Sequence, residues 1–241
     1  MQNLYITSID KKDGKTFVSA GIAATMQSLG YKTSVYKPYQ TAGIEINGFM
    51  QSPDLTFIKS VDPYIGASFT YLFKTDSEPL IAAEAENKYI DVDQIQTDFQ
   101  SITAVSDCTI IDGDRGLMSP LAPSTQAIDM VKRLQLPVLF VVTLKENTIN
   151  NTLTSIYTAI DKGVEIRGVV LNNIAEDCSK QMLTSTTRII EEYTNVSILG
   201  LVPNIGSKIR PEDLITGILN GIDIESVFKM KIEKLELNWW L

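Results

Sequence analysis

Residues 4–30 read LYITSIDKKDGKTFVSAGIAATMQSLG, and this stretch decides the fold. Leu4 to Thr7 is a short apolar and β-branched run, the pattern of a strand. Thr16 to Leu29 carries Val18, Ile22, Met26 and Leu29 at spacings of four, four and three, which predicts a helix, and Gly30 ends it as a C-terminal cap. Gly14-Lys15-Thr16 lies between the two, where a helix N-terminus offers unpaired N–H groups and the positive end of its dipole. That is the closing half of a phosphate-binding loop: Lys15 reaches outer phosphates and the Thr16 hydroxyl ligates Mg²⁺. The candidate nucleotide-binding residues here are Asp13, Gly14, Lys15, Thr16 and Phe17. A bare Gly-Lys-Thr also occurs as a helix cap with a solvated lysine. What favours phosphate is its place behind a first strand.

Outward from this loop, apolar runs alternate with amphipathic segments. Thr33 to Tyr36, Thr109 to Ile111, Val138 to Val142, Gly168 to Leu171 and Ile198 to Val202 read as strands. Val138 to Val142 is apolar throughout, as befits a strand buried on both faces. Asn150 to Ile160 and Lys180 to Tyr193 read as helices. The βαβα order predicts an α/β fold, a parallel sheet with helices on both faces. No internal repeat or low-complexity linker divides the 241 residues, so residues 1–241 are expected to form one domain. The tail 222–241 mixes charge with Trp239 and Trp240 and reads equally as packed back on the domain or as an interface.

Composition narrows the chemistry. Lys plus Arg is 21 against 29 Asp plus Glu, a net charge of −8, which argues against a chain that coats nucleic acid or anionic membrane. No run of about 18 apolar residues predicts a membrane-spanning helix. The N-terminus is expected to be a strand rather than a signal peptide, and two cysteines, Cys108 and Cys178, suit a reducing cytoplasm. Histidine is absent, so Ser-His, Cys-His and His-metal mechanisms are excluded and acid–base work falls to Lys, Asp, Glu or the substrate.

Three further pieces carry candidate chemistry. In VYKPYQTAG, residues 35–43, Lys37 precedes Pro38, which is expected to stop the strand from continuing as a helix. Ligands of open α/β sheets bind at carboxyl strand ends, so Lys37 would face the crevice of Lys15; the alternative is a surface lysine. In IIDGDRG, residues 110–116, Asp112 after an apolar strand suits a metal-holding carboxylate, or else an Asp-Gly turn. Asp54 in SPDL looks like a helix N-cap and is also a ligand candidate. In VVLNN, residues 169–173, Asn172 and Asn173 end a strand where an amide pairs with the edge of adenine.

Together these pieces resemble the dethiobiotin synthetase family over nearly the whole chain, through YITSIDKKDGKT, YKPYQTAG, DGDRGLMSPL, LPVLFVVTLKENTIN, GVVLNNI and LGLVP. The resemblance implies a fold of the P-loop NTPase type and an ATP-dependent closure of a cyclic urea from 7,8-diaminopelargonic acid and CO₂. It implies catalytic roles for Lys15, Thr16 and Lys37, and contact of Thr41 with the diamine. It implies Mg²⁺ held by Thr16, Asp54 and Asp112, and adenine read by Asn172 with Pro203 and Asn204 beside the base. It further implies a homodimer in which the helix start at Asn147, Thr148 and Asn150 catches the substrate carboxylate of the neighbouring subunit.

The sequence also departs from that family. Ser8 stands where the loop opens with glycine, so a glycine-only backbone angle would not be free there. Lys11 and Lys12 add positive charge to the loop. Asp112 falls where the family has glutamate, and Asp114-Arg115 replace Ala-Gly in its glycine-rich motif. Arg115 is therefore expected either as a phosphate clamp among the nucleotide-binding residues or as a plug that marks another substrate. Asn173 replaces an aspartate. The competing readings are a synthetase-like domain with another ligand or a regulatory role, and a partitioning-type ATPase. The latter carries a signature lysine five positions before the loop lysine, where this chain has Asp10.

Overall fold

The computed structural model describes residues 2–206 and 209–232. The chain runs β1 (Gln2–Ser8), α1 (Lys15–Ser28), β2 (Thr33–Gln40), then a hairpin of β3 (Ile44–Ile46) and β4 (Phe49–Gln51). It continues α2 (Pro53–Val61), β5 (Gly66–Leu72), α3 (Pro79–Ala85), α4 (Val92–Thr103) and β6 (Cys108–Asp112). A second hairpin, β7 (Pro120–Ala122) with β8 (Thr125–Gln126), leads into α5 (Ala127–Arg133), β9 (Val138–Thr143) and α6 (Thr148–Asp161). The chain closes with β10 (Ile166–Ile174), α7 (Lys180–Thr194), β11 (Ile198–Pro203), α8 (Pro211–Gly221) and α9 (Ile224–Phe228). Seven strands form one sheet in the order β11-β10-β9-β1-β6-β2-β5, and every pairing in it is parallel. The α/β reading holds, with β1 near the middle of the sheet.

Strand alternation sorts the core into two layers. Leu4, Ile6, Val35, Ile110, Leu139 and Val141 face α1, α2, α8 and α9. Tyr5, Tyr36, Ile111, Val138, Phe140 and Val142 face the side covered by α3 to α7. Two residues beyond Val35 and Ile110 come Lys37 and Asp112. Period-two alternation therefore puts both polar side chains on the α1–α2 face, at the carboxyl ends of their strands.

Several local features differ from expectation. β2 runs through Pro38 to Gln40 instead of stopping at Lys37. Its pairing with β6 ends at Tyr36, and its register with β5 uses Lys37 and Tyr39, so Pro38 removes no ladder bond. The helix cap of α2 is Ser52, whose hydroxyl accepts from Leu55 N at 3.0 Å; Asp54 sits in the first helical turn instead. The half-exposed edge strand β5, the helices α2 to α5 and both hairpins lie in parts of the chain that sequence periodicity left unassigned. Gly30 lies just beyond the α1 cap at φ 85°, as the left-handed stop requires. Of the tail, residues 222–232 pack back: Ile222, Ile224, Val227, Phe228 and Ile232 are buried with α1 and α8 residues. Trp239 and Trp240 lie outside the described residues. Among the described residues, no helix is long and apolar enough to cross a membrane.

Helix α1 presses against α8 through Gly21. A Cβ there would sit 2.4 Å from Ile218 Cγ1 and 3.1 Å from Leu214 Cδ1. Gly21→Ala is expected to destabilise by about 1–3 kcal/mol through overpacking, seen in the urea midpoint. Unchanged unfolding of Gly21→Ala would refute this packing.

Candidate functional site

Residues 8–16 connect β1 to α1 over the carboxyl edge of the sheet. Ser8 is the last residue of β1 and needs no left-handed angle, so the missing glycine is no obstacle. Its hydroxyl donates to Asp10 O at 2.7 Å and accepts from Lys15 Nζ at 3.0 Å. Lys12 and Gly14 are the loop's left-handed residues, at φ 65° and 85°. Gly14 is doubly required, because a Cβ there would lie 2.2 Å from Asn172 Nδ2.

Side chains fix the rest of the loop. Asp13 is buried; its carboxylate accepts from Asp10 N at 2.9 Å and from Lys145 Nζ at 2.5 Å. Its carbonyl accepts from Asn172 Nδ2 at 2.8 Å and Thr143 Oγ1 at 3.2 Å. Burial pushes the Asp13 carboxyl above the usual range, while Lys145 pulls the other way. The Asp13 side chain thus shapes the loop from within.

Beside the loop sits a buried polar junction. Asp112 is fully buried and accepts from Thr16 Oγ1 at 3.0 Å, Ser19 Oγ at 2.9 Å and Lys37 Nζ at 3.0 Å. Lys37, also fully buried, donates in addition to Asp54 Oδ2 at 2.6 Å. Burial alone would lower the Lys37 ammonium, but Asp112, Asp54 and Asp114 outweigh it and hold its pKa above the ordinary lysine value. Lys15 goes the other way: burial lowers it, Asp112 opposes, and the like charge of Lys37 reinforces the fall. The oxygens of Thr16, Asp54 and Asp112 are hard donors that fit Mg²⁺, and Asp54 opens to solvent. Both Asp112 oxygens already accept hydrogen bonds, which suits it to holding the ion through water.

Two clefts flank the loop. One, of about 180 Å³, is lined by Lys12, Gly14, Phe17, Asn172, Asn173, Pro203 and Asn204 among others. The other, of about 390 Å³, is lined by Lys15, Thr16, Gln40, Thr41, Asp54 and Asp114 among others. Arg115 lines neither. Its guanidinium reaches Asp76 at 2.8 Å, Thr41 Oγ1 at 3.2 Å and Glu78 at 3.8 Å, so acidic neighbours hold it away from Lys15. Asp114 Oδ2 accepts from the Thr41 hydroxyl at 2.7 Å and the Thr41 N–H at 3.2 Å. Asn147 and Asn150 are exposed at the start of α6, whereas Thr148 is buried and its hydroxyl bonds Thr143 O and Lys145 N within the loop. Sequence reasoning missed Ser19, Asp76 and Lys145 as parts of these networks. Ser19 had a signal, lying three residues after Thr16 on one helical face.

A family model described as an AAA domain matches residues 2–212. The chain belongs to this family. The AAA-domain chain is also similar to curated ATP-dependent dethiobiotin synthetases, so the sequence resemblance is borne out. The synthetase of Bacillus cereus (strain B4264) is 26% identical, covering 94% of this chain and 93% of that protein. That of Bacillus subtilis (strain 168) is 26% identical, covering 86% and 89%. Among solved structures, the ParA family ATPase from Chlorobium tepidum TLS superposes with a TM-score of 0.56 at 15% identity, covering 99% of this chain and 96% of that one. The septum site-determining protein MinD from Pyrococcus horikoshii OT3, complexed with Mg-ADP, gives 0.55 at 15% identity, covering 99% and 96%. These establish the P-loop NTPase fold.

Removing Lys37 leaves the buried Asp112 carboxylate without its paired cation. Lys37→Ala is expected to cost about 3–5 kcal/mol, lowering the melting temperature by roughly 6–20 °C for a chain of this size. Lys37→Met with Asp112→Asn is expected to regain most of it. Melting of Lys37→Ala within about 2 °C of the parent would show that the pair carries no such strain.

Proposed function

We propose that the protein is a dethiobiotin synthetase, closing the cyclic urea of 7,8-diaminopelargonic acid with CO₂ and ATP. The observation that carries this is the buried Lys37 held against Asp112 beside a cleft lined by Lys15, the first residue of α1, and by Thr41. In this reading the base lies in the cleft of Asn172, Asn173, Pro203 and Asn204, and the phosphates pass over Gly14 to Lys15 and Thr16. An amine of the substrate loses a proton and takes up CO₂ to give a carbamate, whose oxygen attacks the γ-phosphate, breaking its bond to the β-phosphate and releasing ADP from a carbamic-phosphate anhydride. The second amine then displaces phosphate and closes the ring. Negative charge concentrates between carbamate and phosphate, where Lys15 and Lys37 are fixed before it develops. Mg²⁺, held by Thr16 and Asp54 with Asp112 behind them, would supply further neutralisation.

The same reading makes the protein a homodimer whose α6 N-terminus, with exposed Asn147 and Asn150 and the first N–H groups, receives the substrate carboxylate. Strands of one sheet drawn from residue 2 to residue 203 support a single domain. Two free cysteines support a reducing, cytoplasmic setting. A second reading, a synthetase-like domain with another acceptor, is favoured by the ionic network of Lys11, Asp76, Arg115 and Thr41 beside the cleft.

The purified protein is expected to convert 7,8-diaminopelargonic acid, bicarbonate and ATP to cyclic urea and phosphate in equal amounts. Phosphate release without urea would sink the synthetase reading and leave the second. Lys15→Ala is expected to lower the rate by about 10²–10³. Because the Lys15 pKa is depressed and that of Lys37 raised, Lys15 loses its charge first as pH rises. ATP affinity should therefore weaken on the alkaline side below the ordinary lysine range, and Lys15→Arg should move that limb upward. A limb unmoved in Lys15→Arg would assign it to another group.

A further inference from the structure

The carboxylates around the larger cleft are mostly paired with cations at close range. Lys11 and Arg115 share Asp76, at 2.7 and 2.8 Å. Lys37 takes Asp54 and Asp112. Asp114 differs: its Oδ2 is held by both donors of Thr41, while the Arg115 Nε stands 3.8 Å away. Among the described residues, Oδ1 accepts no hydrogen bond, and the residue lines the cleft that contains Lys15 and Thr16. A carboxylate oxygen has room for further donors, and one left open on the wall of the cleft suits a cationic donor.

The Thr41 contacts also fix where that oxygen points. Two hydrogen bonds on Oδ2, one from backbone, hold the carboxylate at one orientation and leave little freedom to lose on binding. Asp76 and Asp54 already have cations at 2.6–2.8 Å, so Asp114 is the carboxylate of this cleft left to meet an ammonium. We propose that Asp114 Oδ1 binds an amine of the acceptor substrate as its ammonium, and so selects amines and sets which nitrogen faces Lys15. This rests on the synthetase reading for the reaction, though not for the binding. Asp114 positions the nitrogen; the proton leaves to solvent before CO₂ is taken up.

The test measures binding and turnover separately, with 7,8-diaminopelargonic acid as the probe. In calorimetry without nucleotide, Asp114→Asn, which still accepts from Thr41, is expected to weaken diamine binding about 10- to 100-fold, the value of a charged hydrogen bond. ATP affinity should stay within about 2-fold, since no base or phosphate contact is lost. In turnover, KM for the diamine should rise by the same factor and Asp114→Glu should recover part of it. In the unmodified protein, binding should weaken as pH rises through the amine titration, because a carboxylate grips the charged form. Urea formation with an unchanged diamine KM in Asp114→Asn overturns the inference and keeps the synthetase. Diamine binding lost in Asp114→Asn, from a protein that makes no urea, keeps the inference and discards the synthetase. No diamine binding by the unmodified protein, or binding that strengthens with pH, overturns the inference.

Discussion

The carboxylate of Asp112 is the point on which the rest of the site depends. It is buried and receives donors from three places: Thr16 and Ser19 on α1, and Lys37 on β2. A charge taken out of water there is tolerable only with such full satisfaction. The requirement fixes the distance between α1 and the ends of β2 and β6, and thereby the placement of the loop ahead of α1. Asp54 completes the arrangement from α2, reaching Lys37 because Ser52 has taken the capping role. Lys37 is thus held charged between two carboxylates, while Lys15, facing the cleft with only the Ser8 hydroxyl as partner, is the more easily discharged of the two.

The loop itself reaches its shape by an unusual route. Without an opening glycine, it relies on Ser8 turning back on Asp10 and on Asp13 bridging to Lys145. Asn172 then locks the carbonyl of Asp13 from a neighbouring strand. The curve of the loop is therefore a tertiary property, set by β9, β10 and the segment before α6 as much as by the loop residues. Coupling follows physically, since whatever moves Lys145 moves Asp13 with it.

Much of this was legible in the sequence. The strand–loop–helix at residues 4–30 and the apolar runs at Ile110 and Val138 gave the parallel sheet, because buried parallel strands are continuous apolar segments. Lys15, Lys37, Asp112 and Asn172 could be placed together because each lies toward the carboxyl end of a strand or opens a helix. What escaped was of two kinds. β5 is a half-exposed edge strand, so its residues carry neither a continuous apolar run nor a clean alternation. The partners of Thr41, Arg115 and Asp13 lie 73, 39 and 132 residues away, and pairings over such separations leave no local pattern to read. Arg115 shows the cost: its charge suggested a phosphate ligand, and only the position of Asp76 and Glu78 shows it engaged elsewhere.

The two clefts meet at a ridge formed by Lys12 and Gly14, which line both. In the proposed reading, a nucleotide laid across it would behave as two weak ligands joined by a short tether, one apolar and one highly charged. The strength of such binding lies largely in the effective concentration the tether confers on the second fragment once the first is seated. Lys12 stands at that junction in a left-handed conformation with its side chain exposed. The backbone of the ridge therefore sets the span between fragments, and a change of an ångström there would tax affinity without touching a single contact to either one.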